Sequence, residues 1–221
     1  YDHPFGADAA YPIGPFDAYT ENGQSTEATV TSQNLSTIFG FQPNQHWNFY
    51  AGPALQTVKG QATLRGAGYS WGRYDLDAKE TTGVGWLAGV AYTIPEIALK
   101  TSITYRSEID HDMNMTETFS ILHPVAGRVS LGSGTEKSTI TTPQSINLDL
   151  QTGIMKDTVA FANVRWVDWS TYKISPKLLF RATEKLSGAG VNLAAYYDDQ
   201  ISATVGLGRK FNDKVSGTLS V

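Results

Sequence analysis

Between Ile97 and Asp110 the apolar side chains recur at every second residue. The odd positions read Ile97, Leu99, Thr101, Ile103, Tyr105, Ser107 and Ile109, five of seven apolar. The even positions, Ala98, Lys100, Ser102, Thr104, Arg106, Glu108 and Asp110, hold one of seven. Successive side chains of a strand point to opposite faces, so the segment predicts a strand with one greasy and one polar face. Ile146, Leu148, Leu150 and Ile154 repeat the pattern against Asn147, Asp149 and Gln151. Ile201, Ala203, Val205, Leu207 and Phe211 repeat it against Ser202, Thr204, Gly206, Gly208 and Lys210. Alternation in so many segments specifies an all-β, antiparallel architecture rather than α/β.

Composition narrows the setting. Charged residues make up 17% of the 221, below the roughly 25% of soluble domains. No stretch approaches the ~18 consecutive apolar residues of a membrane helix. Cys is absent, which excludes disulfide frameworks, zinc–thiolate sites and thiol nucleophiles. A net charge of −4 with scattered Lys and Arg offers no basic face for nucleic acid. The chain starts at Tyr1 without a signal peptide and stops at Val221 inside a strand-like stretch, so a piece of a longer protein is expected.

A soluble β-sandwich would alternate in the same way, with its apolar face inward. The connections and aromatics separate the two. Short polar turns are expected at 43–46, 94–96, 155–157 and 212–213, and long connections at about 17–26, 67–82, 120–144 and 176–190. Alternating short and long connections, with aromatics such as Phe39, Phe41, Trp47, Phe49, Tyr92 and Phe211 beside the short ones, fit a transmembrane β-barrel with tight periplasmic turns and long extracellular loops. A second cluster, Trp166, Trp169, Tyr172, Tyr196 and Tyr197, suits either an outer girdle or a loop wall.

Several segments, in order, carry a family resemblance. They are Pro4-Phe5-Gly6-Ala7-Asp8-Ala9-Ala10-Tyr11-Pro12, the stretch from Asn34-Leu35 to Trp47-Asn48-Phe49, Gly85-Trp86-Leu87-Ala88-Gly89-Val90-Ala91-Tyr92, Leu99 through Glu108, Asp198-Asp199 and Gly206 through Asn212. Together the set resembles the outer-membrane long-chain fatty acid transporter family (FadL-type, with its aromatic-hydrocarbon uptake relatives). The resemblance implies a fourteen-stranded barrel closed from inside by an N-terminal hatch. Residues 1–221 would then be a single barrel segment, about the third to the eleventh strand, without the hatch, the first and the last strands. It also implies a monomeric barrel in the bacterial outer membrane.

No catalytic constellation stands out, and an enzyme is not expected. Asp110-His111-Asp112 has metal-ligand residue types, but in a strand the two carboxylates share one face and the imidazole takes the other. No metal or cofactor is implied. Capture of an apolar cargo needs exposed apolar loop residues, because each buried CH₂ gains ~0.8 kcal/mol. One long connection offers Tyr69, Trp71, Tyr74 and Leu76, and another offers Phe119, Ile121, Leu122, Pro124 and Val125. The alternative is that they pack on one another. The resemblance places the outer capture site on these two loops, and matches Arg65 to the arginine that holds a ligand carboxylate. Arg106 is a second lumen candidate, although Glu108 and Asp110 stand close enough in sequence to pair with it. Pro4, Gly6 and Pro12 are poor ladder formers, so a break around Phe5, Gly6 and Ala7 would open a lateral exit, as the resembling family's kinked strand does.

The expectation is passive, laterally released uptake of long-chain fatty acids or similar hydrophobic molecules across the outer membrane. The alternatives are a general porin with a water-filled lumen and a structural or adhesive barrel with a solid interior.

Overall fold

A computed structural model describes residues 6–11 and 18–221 of the chain. The strands are β1 (Gly6–Ala10), β2 (Thr20–Glu21), β3 (Gln24–Ser25), β4 (Glu27–Ser36), β5 (Phe39–Phe41), β6 (Trp47–Leu64), β7 (Arg73–Ile94) and β8 (Leu99–Arg106). They continue with β9 (Ile109–His123), β10 (Gly127–Thr142), β11 (Ser145–Met155), β12 (Thr158–Val167), β13 (Lys173–Ile174), β14 (Ala194–Ala195), β15 (Gln200–Lys210) and β16 (Ser216–Ser220). One helix, α1 (Lys177–Ser187), lies between β13 and β14.

Twelve strands form one antiparallel, curled sheet in the order β1-β4-β6-β7-β8-β11-β12-β15-β16, with β5 on β6 and the β9–β10 hairpin on β7. The short turns fall where the sequence places them, and all join strands at the same end. At two of them an Asn side chain closes the turn. Asn44 Oδ1 accepts from the His46 and Trp47 amides, and Asn212 Oδ1 accepts from Lys214 and Val215.

The lower half of the sheet is apolar outside. Ile103, Leu148 and Val205 are all exposed on the outer face, which is the pattern of a lipid-facing band. Trp47 packs on Tyr92 at 4.7 Å beside the turns, and Trp86 on Tyr105 at 5.1 Å marks the upper margin. Inside, the Tyr50 ring crosses Gly89, where a Cβ would stand 2.5 Å from it, and its hydroxyl reaches Thr104.

Above that band the polarity inverts. Along β6 the outward residues change from Trp47, Phe49, Pro53 and Leu55 to Thr57, Lys59, Gln61 and Thr63, while Val58 and Ala62 turn inward and buried. β7 makes the same change with a β-bulge: Val58 faces Thr81 and Gly60 faces Ala78, so Lys59 opposes both Lys79 and Glu80. The extra residue switches the inward set from Gly83 and Leu87 below to Tyr74, Leu76 and Ala78 above.

Two expectations need correction here. The stretches 67–82 and 120–144 are for the most part not loops: β7 runs from Arg73, and β9 and β10 form a long hairpin. Their alternation carries the sheet past the lipid band, with apolar residues inward. Nor does one strand run through to Asp110. The chain breaks at Ser107–Glu108, and Ile109 enters the interior at 7% exposure instead of continuing the outer face of Ile103 and Tyr105.

Candidate functional site

The inverted upper half builds an apolar chamber. Val58, Ala62, Leu76, Met113, Met115 and Ile140 supply its wall, and a cavity of about 390 Å³ lies against them. Its other side is the segment around α1, which contributes Trp169, Tyr172, Ile174 and Tyr196. Trp169, Tyr172 and Tyr196 pack mutually at 5.2–5.9 Å, so of the second aromatic cluster these three form a loop wall. Trp166 stays at the strand top and donates to Asp199. Burial, with Tyr196 adjacent, pushes the Tyr172 hydroxyl up to about 12. Gly6, Ala7 and Ala9 of β1 line the same cavity.

A buried carboxylate fastens the start of the cover. Glu117, inward on β9 and 2% exposed, accepts from the Leu178 and Leu179 amides at 3.1 and 2.9 Å and from the Tyr74 hydroxyl at 3.0 Å. α1 has Pro176 at its N-cap and no side-chain cap of its own. Glu117 therefore satisfies amides that the helix start leaves open, and its charge meets the positive end of the helix dipole. Arg181 adds a two-pronged pair with Glu136, 2.9 Å on each arm.

Beneath the chamber the interior turns polar. Gln56 Oε1 accepts from Thr142 and faces His111 Nε2, both at 2.9 Å. A pocket of about 140 Å³ at this level is lined by Asn34, Gln56, Arg106, Thr142, Arg165 and Trp169, among others. Trp169 also lines the apolar cavity, so the two spaces share a wall.

The candidates from sequence separate into several environments. Gly6 and Ala7 sit on the cavity; Phe5 lies outside the described residues, as do Pro4 and Pro12. Tyr69 lines the cavity and meets the Tyr19 ring at 6.0 Å. Phe119 is buried on Tyr74 at 5.9 Å, and Leu76 is buried too, so these residues pack together as the alternative held. Trp71 and Leu122 remain exposed near the hairpin tip. Arg65 is buried, with Nη2 on Asp75 at 2.5 Å, Nη1 on the Leu64 and Tyr74 carbonyls and Nε on Gln24. Arg106 does not pair with Glu108 or Asp110; Asp110 bonds Thr141 on the outer face while Arg106 points inward. The break at Ser107–Glu108 puts them on opposite sides. Asp110 and Asp112 face outward to Thr141 and Thr139, and His111 faces inward.

Sequence reasoning missed Glu117. Its signal is an acid on the apolar face of Met113, Met115, Glu117 and Phe119. It also missed Glu21, which pairs with both Arg73 and Arg128 across the mouth.

A family model described as "Outer membrane protein transport protein (OMPP1/FadL/TodX)" matches residues 16–216. No curated protein matches the chain. Among solved structures, the chain is similar to the Pseudomonas putida toluene transporter TodX, with 15% identity, 98% of this chain and 62% of that one covered, and a TM-score of 0.63. It is similar to the Ralstonia pickettii toluene transporter TbuX, with 13% identity, 98% and 64% coverage, and a TM-score of 0.61. It is also similar to a Pseudomonas aeruginosa FadL homologue, with 13% identity, 96% and 52% coverage, and a TM-score of 0.67. The chain spans about three-fifths of the length of the solved relatives it matches.

Proposed function

The chain belongs to the OMPP1/FadL/TodX family of outer membrane transport proteins, and on that premise we propose that it forms a wall segment of a barrel for long-chain fatty acids or similar hydrophobic molecules. In this reading the cargo crosses passively and leaves sideways. The observation that carries the reading is the apolar chamber of about 390 Å³ held above a lipid-facing band. A cavity of about 150 Å³ already takes benzene, so the chamber has room for an aromatic ring or a folded length of alkyl chain. A general porin has no use for such a chamber, since its lumen must stay wet throughout.

Exposed Trp71 and Leu122 at the mouth would make first contact, Tyr69 on the cavity wall would guide the cargo inward past the buried Phe119, and the Phe5–Gly6–Ala7 region would be the lateral exit. Arg65 enters only if an incoming carboxylate displaces Asp75, which is half-exposed at 48%. The remaining strands and the hatch belong to the rest of the barrel in this proposal, and the whole acts as a monomer among outer-membrane lipids. No cofactor takes part.

The test uses the full-length protein in detergent and displacement of a fluorescent fatty-acid probe by oleate and by toluene. Saturable displacement by at least one is expected. Failure of both to displace the probe saturably would overturn the proposal.

A further inference from the structure

The bulge on β7 leaves a concave place on the outer face of the sheet. Thr29 and Thr31 of β4, Lys59 and Gln61 of β6, and Lys79 and Glu80 of β7 line a groove of about 330 Å³ there. Lys59 opposes both Lys79 and Glu80. Ala78 pairs with Met115, so Lys79 comes next to Asn114, and Asn114 in turn pairs with Lys137 of β10. Three exposed lysines thus stand in one row across four adjacent strands, β6, β7, β9 and β10. With strands ~4.8 Å apart, the row is about 15 Å long.

None of the three ammonium groups makes an ion pair or a side-chain hydrogen bond among the described residues. Nearby outward carboxylates are engaged elsewhere: Asp77 accepts from Gln61, Asp112 from Thr139 and Asp110 from Thr141. Like charges side by side on a sheet are destabilising, so the row is suited to an anion that comes from outside the chain.

Height selects the anion. Leu55 is the last apolar residue on the outer face of β6, and Lys59 stands four residues above it. At ~3.4 Å per residue and a tilt of ~40°, that is about 10 Å above the edge of the lipid band. Lysine side chains reach down toward the interface, which brings their charges to the depth of headgroup phosphates. The short turns lie at the opposite end of the strands, so these are headgroups of the outer leaflet. A phosphate alone does not explain the groove, because Asp77 and Glu80 line it too and would repel one. Carboxylates, threonine hydroxyls and Gln61 suit sugar hydroxyls, which both donate and accept.

We infer that Lys59, Lys79 and Lys137 hold the phosphates of a phosphorylated glycolipid of the outer leaflet, whose sugars lie in the groove at the bulge. The site faces the membrane rather than the lumen, so it goes beyond the uptake reading and does not rest on the cargo.

The test titrates the full-length protein in detergent with lipopolysaccharide, intact and with its phosphates removed, and reads the complex by native mass spectrometry. Intact lipopolysaccharide is expected to bind at least about tenfold more tightly than the dephosphorylated form, since each lysine near an anionic lipid surface contributes severalfold. Lys59→Gln, Lys79→Gln and Lys137→Gln together should abolish that preference, and arginine at the same three positions should keep it. Lys137→Glu alone should weaken it. An unchanged melting temperature without lipid shows that the variants are folded, and their oleate binding should not change. Equal binding of the two forms by the unaltered protein, or a preference that survives the triple Gln variant, would overturn the inference. So would displacement of the glycolipid by excess inorganic phosphate, which would make the row a site for a free anion.

Discussion

Tyr74 and Glu117 are diagonal neighbours on β7 and β9, the phenol donating to Glu117 Oε2 at 3.0 Å with both side chains buried. Each carboxylate oxygen also holds one amide of the first turn of α1. The pair thus ties the cover of the chamber to its wall, and the two oxygens are not interchangeable with an amide. In Glu117→Gln one of the two positions becomes an N–H facing an N–H. That variant should lose about 1–3 kcal/mol, and Glu117→Ala at least as much. Amide hydrogen exchange checks it: Leu178 and Leu179 should lose protection first, ahead of the strands.

The same burial sets an alkaline limit. Desolvation first, and then the Glu117 charge, hold the Tyr74 hydroxyl far above its usual range; burial and Tyr196 raise that of Tyr172 to about 12. A group whose folded pKa is raised contributes stability that is complete below its unfolded value and lost above it. Stability should therefore hold up to about pH 10 and fall as pH rises toward 12. Tyr74→Phe and Tyr172→Phe should each flatten that fall. Tyrosinate absorbance followed together with unfolding is the measurement; a limb of the same slope in both variants would remove these two groups from the account.

His111 works in the opposite direction. Its outward neighbours Asp110 and Asp112 stand above the lipid band, while the imidazole is wholly buried, and burial lowers its pKa against a weaker upward pull from Asp110. The unfolded chain takes up a proton at a higher pH than the folded one does. Stability from this site is therefore complete above the unfolded value of about 6.5 and declines as pH falls through it toward the folded one. His111→Gln should remove that component of the acid limb in a pH series of denaturant unfolding.

Arg65 shows what kind of role a buried arginine at the mouth can play. With Asp75, two carbonyls and Gln24 taking its donors, the guanidinium joins β3, β6 and β7. Arg65→Ala should cost about 1–3 kcal/mol by leaving these acceptors short. If Asp75 is displaced by an incoming carboxylate, Asp75→Asn should raise oleate affinity; an unchanged affinity would leave Arg65 as a fastening of the rim alone. Unfolding and oleate titration on the same two variants decide between these.

Much of this fold is legible because strand alternation is local. The outer faces of β8, β11 and β15 follow from Ile103, Leu148 and Val205, and the short turns follow from residues such as Asn44 and Asn212. What is not legible depends on distant partners. The bulge at Lys79–Glu80 exists only relative to Lys59 on another strand, and the inward turn of Ile109 depends on the break before it. Without them, Tyr74, Leu76 and Phe119 read as exposed loop residues instead of a second core. Arg65 and Arg106 could be picked out by type, but the sequence does not show that Asp75 occupies one and that the other lines a small pocket together with Arg165.

In the proposed route the lateral exit would depend on Gly6. On β1 it pairs with Thr31 of β4, and a Cβ there would stand 3.2 Å from the Val30 carbonyl, a contact that a small backbone shift relieves. Substitution is therefore tolerable for folding, with a cost of about 1 kcal/mol or less. The side chain of Gly6→Trp has only the cavity or the lipid side to occupy, and the cavity is lined here by Gly6, Ala7 and Ala9, all small. A bulky residue at that point should slow uptake of labelled oleate by cells carrying the full-length protein while leaving its equilibrium binding in detergent unchanged. Uptake at the normal rate in a variant that binds normally would mean that the cargo leaves elsewhere.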